Sequence, residues 1–145
     1  MADFSSTTVN LTPPHPSTFA PVAGESILRG AAVRVNAADG KAIKAQADTA
    51  ANALVVGLAR VLGTTDERFI AQYGDILQLD TEDWDAVTGG SGGLTLNALY
   101  YLSSTTAGHL TTVKPVAGGT LVAPVGRAVS ATELLILIGT PVQNS

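Results

Sequence analysis

The fold class follows from residues 32–45, which read AVRVNAADGKAIKA. Polar and apolar side chains alternate after the turn-forming residues 36–40, and a two-residue period is the pattern of a half-buried strand. Asp39-Gly40 is among the dipeptides that favour the tight turn of a β-hairpin. The stretch therefore predicts two antiparallel strands, at residues 27–35 and 41–45, joined by a turn.

Short apolar segments separated by Gly, Asn, Asp and Ser continue along the chain. They predict further strands at residues 54–62, 69–73, 76–79, 99–102, 109–113, 121–129 and 134–138. Gly74-Asp75 predicts a second hairpin, between 69–73 and 76–79. The Ala-rich residues 47–53, with Asp48 as an N-cap, predict one short helical turn. Several short strands at this spacing are typical of a sandwich or a barrel.

Two parts of the chain resemble each other. Ala32-Val33-Arg34-Val35 precedes a turn at Gly40 and the strand Gly57-Leu58-Ala59-Arg60-Val61, while Leu99-Tyr100-Tyr101-Leu102 precedes Gly108 and Gly126-Arg127-Ala128-Val129. Gly57 follows Gly40 by 17 positions, and Gly126 follows Gly108 by 18. The pattern indicates a duplication of about residues 24–63 and 94–139, or a chance similarity between strands rich in Ala, Val and Gly. One sandwich and two subdomains both remain open.

The first 22 residues differ from the β domain at 23–145. They are rich in Ser, Thr and Pro, and the prolines at 13, 14, 16 and 21 disfavour both helix and sheet because proline fixes φ and lacks an N–H donor. Two alternatives remain: an extended arm that orders on a neighbouring molecule, or a disordered tail. The predicted fold is all-β and mainly antiparallel, sandwich or barrel-like, with two related halves, an extended N-terminal arm and at most one short helix.

Composition excludes several classes of function. The net charge is −4, and the eight Lys and Arg residues are scattered, whereas nucleic acids and anionic membranes require clustered positive charge. The chain has no cysteine, so disulfides and cysteine-based zinc sites are excluded. No apolar run reaches the roughly 18 residues of a membrane-spanning helix. We therefore expect neither a nucleic-acid partner nor a membrane partner.

The sequence contains no convincing catalytic motif. His15 and His109 have no metal-ligand spacing, and residues 89–93 lack the Lys-Ser/Thr ending of a phosphate loop. Clustered carboxylates fit a Ca²⁺ site, a glycosidase pair, or a solvated acidic turn whose Trp84 packs on the sheet. This cluster consists of Asp80, Glu82, Asp83 and Asp85. We favour the solvated turn and predict no enzyme, no cofactor and no metal site.

Aromatic and proline residues are the interface candidates, because Tyr and Trp contribute much of the energy of protein interfaces. Tyr100 and Tyr101 are adjacent in a predicted strand, so one should face the core and the other the solvent. The full set of interface candidates is Pro13, Pro14, Pro16, Phe19, Trp84, Tyr100 and Tyr101.

The second half resembles a β module of tailed-phage virion proteins. The segments that carry the resemblance are residues 74–84, LTLNALYYLS at 94–103, GHLTT at 108–112 and VGRAVSATELLI at 125–136. The entry into the first strand, from Ala23-Gly24-Glu25 onward, is similar to the start of capsid decoration (cement) proteins. Together these segments span roughly residues 23–139.

The resemblance implies a structural virion protein that binds the outer surface of an assembled phage capsid and stabilises contacts between capsomers. Its implied partners are the major capsid protein and itself, as a homotrimer, on the capsid exterior. One alternative is a host- or glycan-recognition module of a phage fibre, which needs an exposed platform of Trp84 with Tyr100 or Tyr101. Another is a small hydrolase that uses the acidic cluster.

Overall fold

The computed structural model describes residues 17–145 and confirms the all-β, mainly antiparallel class with one short helix. The first sheet contains β1 (Thr18–Phe19), β2 (Ala32–Val35), β3 (Ala42–Lys44), β4 (Gly57–Ala59) and β5 (Ala71–Gln72). The remaining elements are β6 (Ile76–Gln78), α1 (Thr81–Thr88), β7 (Leu99–Leu102), β8 (Leu110–Thr111), β9 (Leu121–Val122), β10 (Pro124–Ala128), β11 (Glu133–Ile136) and β12 (Val142–Gln143).

The two five-stranded sheets have the same topology. The first has the order β1-β5-β4-β2-β3 and the second β6-β11-β10-β7-β8, so each follows the order first, fifth, fourth, second, third. The short strands β9 and β12 form a separate two-stranded sheet. The two segments of the sequence repeat therefore lie on equivalent strands, β2 with β7 and β4 with β10. That the halves arose by duplication stays a prediction.

Equivalent backbone bonds extend this correspondence. The Ala59 N–H donates to the Ala31 carbonyl at 2.9 Å, and the Ala128 N–H donates to the Ala98 carbonyl at 3.0 Å. The hairpin predicted at residues 36–40 is confirmed, with Val35 opposite Ala42. The second strand of each half therefore begins at the same hydrogen bond and pairs with the fourth strand in the same way.

The strand predicted at residues 27–35 is interrupted. Gly30 has φ +84°, a left-handed conformation that turns the chain, and β2 begins only at Ala32. Ile27 instead forms an isolated bridge to Gly63. The other long predicted strands are also shorter in the structure, because turns at both ends limit their pairing.

The prediction of a hairpin at Gly74-Asp75 is wrong. β5 belongs to the first sheet, whereas β6 pairs with β11 in the second, so this connection crosses between sheets. Asp75 has φ +61°, and its carboxylate accepts hydrogen bonds from the N–H and Oγ of Ser17 at 3.0 and 3.1 Å. Pairing β6 with β11 buries Leu77. Long-range burial therefore overrides the local turn signal.

Part of the predicted arm belongs to the first sheet. Thr18 and Phe19 pair with Gln72 and Ala71, so the chain enters the sheet before the predicted boundary at residue 22. No proline interrupts residues 17–20, which leaves these N–H groups free to pair. Pro13, Pro14, Pro16 and His15 lie outside the described residues.

The acidic residues 81–88 form the helix, and the Ala-rich residues 47–53 do not. Residues 47–53 form turns, and the Asp48 carboxylate accepts from the Asn52 side chain and does not cap a helix. α1 begins after Asp80 and ends at Gly89, whose φ of +73° terminates the helix. Glu82 and Asp83 lie in its first turn, where carboxylates favour the positive end of the helix dipole.

One hydrophobic core joins both sheets, and its members are mostly Ala, Val and Leu. Backbone bonds also cross between the halves. The Ala32 N–H donates to the Gly108 carbonyl at 3.0 Å, the Gly108 N–H donates to the Ala45 carbonyl at 2.6 Å, and the Ala47 N–H donates to the Ser103 carbonyl at 2.8 Å. Within residues 17–145, no helix is long and apolar enough to cross a membrane.

Candidate functional site

The acidic cluster comprises Asp80, which is the N-cap of α1, and three residues within the helix, and two of its carboxylates have structural partners. The Asp85 carboxylate accepts from the N–H groups of Gly92 and Gly93 at 3.0 and 2.9 Å. Asp83 lies 3.9 Å from the Arg29 guanidinium. Among residues 17–145, no three His, Asp or Glu side chains are grouped as metal ligands. The segment is thus a helix that anchors the loop after it, not the solvated turn expected from the sequence.

Replacing Asp85 with Ala should release the loop at residues 89–93. Two charge-assisted hydrogen bonds are lost, so we expect the free energy of unfolding to fall by about 2 kcal/mol. Limited proteolysis should then cleave within the loop faster than in the parent chain. Asp83→Ala is the matched control, because its ion pair is long and partly exposed, and such pairs contribute little. Equal cleavage of both variants would contradict the anchoring role of Asp85.

A polar depression lies beside this loop. Its volume is about 210 Å³, and hydroxyl groups of Thr88, Ser91, Thr95, Thr111 and Thr112 line it. The hydroxyl of Tyr100, also in the lining, accepts a hydrogen bond from the Thr95 N–H at 2.8 Å. No carboxylate or imidazole is present in this lining, so none of the hydroxyls has an adjacent base to activate it.

His109 lines a smaller depression of about 60 Å³ together with Lys44. Burial lowers the pKa of His109, and the nearby Lys44 charge lowers that pKa further. The folded protein therefore favours the neutral imidazole. No carboxylate lines this depression, so the imidazole has no acid partner of the kind found in catalytic pairs.

The aromatic candidates are divided between the core and the surface. Trp84 is fully buried and Tyr100 is 3% exposed, whereas Tyr101 is half-buried. The prediction that the two tyrosines face opposite ways is confirmed. Trp84 and Tyr100 cannot form the exposed platform that glycan recognition requires, because both rings pack inside this chain. Trp84 is buried because it lies on the inner face of α1, an amphipathic helix that the sequence did not predict.

Phe19, one of the interface candidates, forms a partly exposed aromatic pair with Tyr73, which the sequence did not single out. Phe19 in β1 is half-buried, and its ring centroid lies 6.1 Å from that of Tyr73, which is 53% exposed. The pairing of β1 with β5 brings them together, and nothing in the local sequence of either residue indicates it.

An apolar groove crosses the surface where the two halves meet. Residues on the approach to β4 form one wall, and residues after β11 form the other. The groove is shallow and open, with a volume of about 380 Å³, and its lining is Leu54, Val55, Val56, Ile138, Gly139, Thr140 and Pro141. Leu54 is 58% exposed. Covering the exposed Leu54 side chain and its apolar neighbours by a protein partner would gain free energy.

Comparison with models of known protein families and with curated proteins gives no match to this chain. The functional interpretation therefore depends on the site geometry and on the motifs of the second half.

Proposed function

We propose that this chain is a structural virion protein that binds the outer surface of an assembled phage capsid and stabilises contacts between capsomers. The observation that carries the proposal is the apolar groove at residues 54–56 and 138–141, where Leu54 is exposed although the same chain buries a continuous core. A surface of that kind gains free energy when a protein partner covers it. The motifs at residues 94–136 favour the capsid as that partner.

The cavities and clusters described above also favour binding over catalysis. Asp85 is engaged with backbone N–H groups, and the linings of the three depressions bring no carboxylate to an imidazole. In this proposal the partners are the major capsid protein and further copies of this chain as a homotrimer. Binding only the assembled capsid stabilises it by mass action, without any reacting group.

A groove substitution tests the capsid proposal. Leu54→Ser should weaken binding to purified capsids roughly tenfold, because an apolar contact worth about 1.4 kcal/mol is removed from the interface. Thermal stability of the free protein should hardly change, since Leu54 is already exposed. The measurement is co-sedimentation with capsids, together with the temperature at which those capsids release their genome.

Leu96→Ser is the matched control. Leu96 is 60% exposed and lies outside the groove, so the same change there should leave capsid binding unaltered. The proposal is wrong if the parent chain neither sediments with capsids nor protects them from heat. Binding to a sugar array in place of capsids would favour the recognition module instead.

A further inference from the structure

The polar depression beside the loop at residues 89–93 has no part in the proposed capsid contact. Every residue that lines it belongs to the described part of the chain, and none of them lines the apolar groove. Its volume of about 210 Å³ lies below the range of roughly 300–1,000 Å³ that is usual for pockets holding drug-sized ligands. The space therefore suits a single small ring and not an extended chain.

Three hydroxyl groups of the lining are held in place by backbone N–H groups. The Tyr100 hydroxyl accepts from the Thr95 N–H at 2.8 Å. Thr88 and Thr111 each accept from the N–H two residues later in the chain, at 3.2 and 3.0 Å. Within residues 17–145, none of these three groups donates its own proton to a protein acceptor. Since a hydroxyl group both donates and accepts, three donors on positioned oxygens remain available to a ligand.

Tyr100 is the strongest indication of a ligand, because only 3% of its surface is exposed. Its hydroxyl reaches Thr95, another residue of the lining, so the polar end of the ring lies at the depression while the rest packs in the core. A buried tyrosine hydroxyl usually has a hydrogen-bond partner. A ligand oxygen in the depression can accept the proton for which residues 17–145 provide no acceptor.

The charges around the depression favour a neutral ligand. Thr88 is the last residue of α1, where the helix dipole places partial negative charge, and the last turn of α1 contains no basic residue. The Asp85 carboxylate adds a negative charge next to the loop, where it holds the N–H groups of Gly92 and Gly93. The lining itself contains no Lys, Arg or His. An anion would therefore meet no opposite charge here.

The structure assigns this depression as a binding site for a small neutral polyol of the size of one sugar ring. Ligand oxygens accept from the hydroxyl groups of Thr88, Tyr100 and Thr111. Ligand hydroxyl groups donate to the exposed hydroxyl oxygens of Ser91 and Thr112. No exposed aromatic ring is present in the lining to stack on the ligand, which distinguishes the site from the platform of glycan recognition. Hydrogen bonds alone hold the polyol, so we expect a dissociation constant of about 1 mM.

Titration of the free protein with polyols, followed by NMR of its backbone amides, tests the assignment. The probes are methyl glucoside, methyl galactoside and myo-inositol, which are neutral and differ in the arrangement of their hydroxyl groups. At least one of them should give saturable shifts at residues 88–95 and 111–112. Cyclohexanol has a ring without the hydroxyl array, and glucuronate and galacturonate add a negative charge to it. These three controls should bind roughly tenfold more weakly or not at all.

Substitutions of the lining provide the second measurement. Tyr100→Phe removes the buried hydroxyl and should weaken binding of the best polyol roughly tenfold. It also leaves the Thr95 N–H without its acceptor, so its folding is checked from the amide spectrum and Tm. Thr112→Val removes an exposed hydroxyl of the lining and should weaken binding about threefold without affecting the fold. Thr65→Val is the matched control, because Thr65 is exposed but lies outside the lining.

Three results would overturn the assignment. The first is that none of the three neutral polyols shifts the amides of the depression at concentrations well above the expected dissociation constant. The second is that the folded Tyr100→Phe variant binds as the parent chain does; if that variant does not fold, unchanged binding by Thr112→Val decides equally. The third is tighter binding of a uronate than of its neutral counterpart. All of these measurements are made without capsids, so they stand apart from success or failure of the capsid proposal.

Discussion

Trp84→Ala should destabilise the protein by about 4 kcal/mol, as expected when a fully buried large aromatic side chain is truncated. Trp84 has no exposed surface, and its Nε1–H donates to the Thr132 carbonyl at 2.9 Å. Its ring also packs on Gly30 of the first half, where an added Cβ would lie 3.1 Å from the ring. Truncation therefore opens a cavity where Trp84 of α1 packs between Gly30 of the first half and Thr132 of the second, and it leaves the Thr132 carbonyl without its donor.

Urea unfolding followed by circular dichroism measures this loss. Fluorescence cannot serve, because Trp84 is the single tryptophan of the chain. Trp84→Phe is the matched control: it keeps much of the ring volume but removes the Nε1–H donor, so a smaller loss of about 2 kcal/mol is expected. A change below about 1 kcal/mol for the alanine variant would contradict the central packing role of this side chain.

Gly126→Ala should be the second strongly destabilising change, by about 3 kcal/mol, as in overpacked cores. An added Cβ would lie 2.5 Å from the Leu135 carbonyl oxygen on the neighbouring strand and 3.0 Å from the Leu134 side chain. Replacing glycine in a strand ordinarily stabilises, because alanine restricts the unfolded chain. A loss of stability would therefore be opposite to the usual effect of this substitution, so the measurement tests the direction of the change as well as its magnitude.

The equivalent glycine of the first half gives a graded comparison. At Gly57 the added Cβ would lie 2.9 Å from the Gln72 carbonyl oxygen, so Gly57→Ala should also destabilise, but less than Gly126→Ala. Gly90→Ala is the control, because its nearest contact is the Thr88 hydroxyl at 3.3 Å, which can rotate away. Thermal and urea unfolding should show the largest loss of stability for Gly126→Ala, a smaller loss for Gly57→Ala and the smallest change for Gly90→Ala. Stability equal to the parent for Gly126→Ala would refute the close approach of β10 and β11.

Local patterns in the sequence predict most of the strands and little of how they pair across the fold. The hairpin at residues 36–40 is correct because its turn and its alternating strand lie within one short stretch. Gly74-Asp75 has an equally good local signal, yet Asp75 connects two sheets, since β6 finds its apolar partner in β11 far along the chain. Such a choice depends on which distant strand buries Leu77, and no local pattern contains that information.

The orientation of candidate site residues was predictable only where the pattern within a single strand decides it. Alternation along β7 correctly separated Tyr100 from Tyr101. Packing of Trp84 on the sheet was expected with the acidic turn, but the sequence did not indicate that this segment forms a helix, α1, with Trp84 fully buried on its inner side. The groove was also missed: its two walls, at residues 54–56 and 138–141, are brought together only by the folded arrangement of both halves.

The backbone bonds that join Gly108 to Ala32 and Ala45 bear on how the chain is made on the ribosome. At translation rates of about 5–20 residues per second, about 4–15 s separate the synthesis of Ala32 from that of Gly108. During that interval the nascent first sheet lacks its later-made partner, and the Ala32 amide must remain solvated. Native structure in the early-made part is thus completed only after most of the polypeptide has been synthesised.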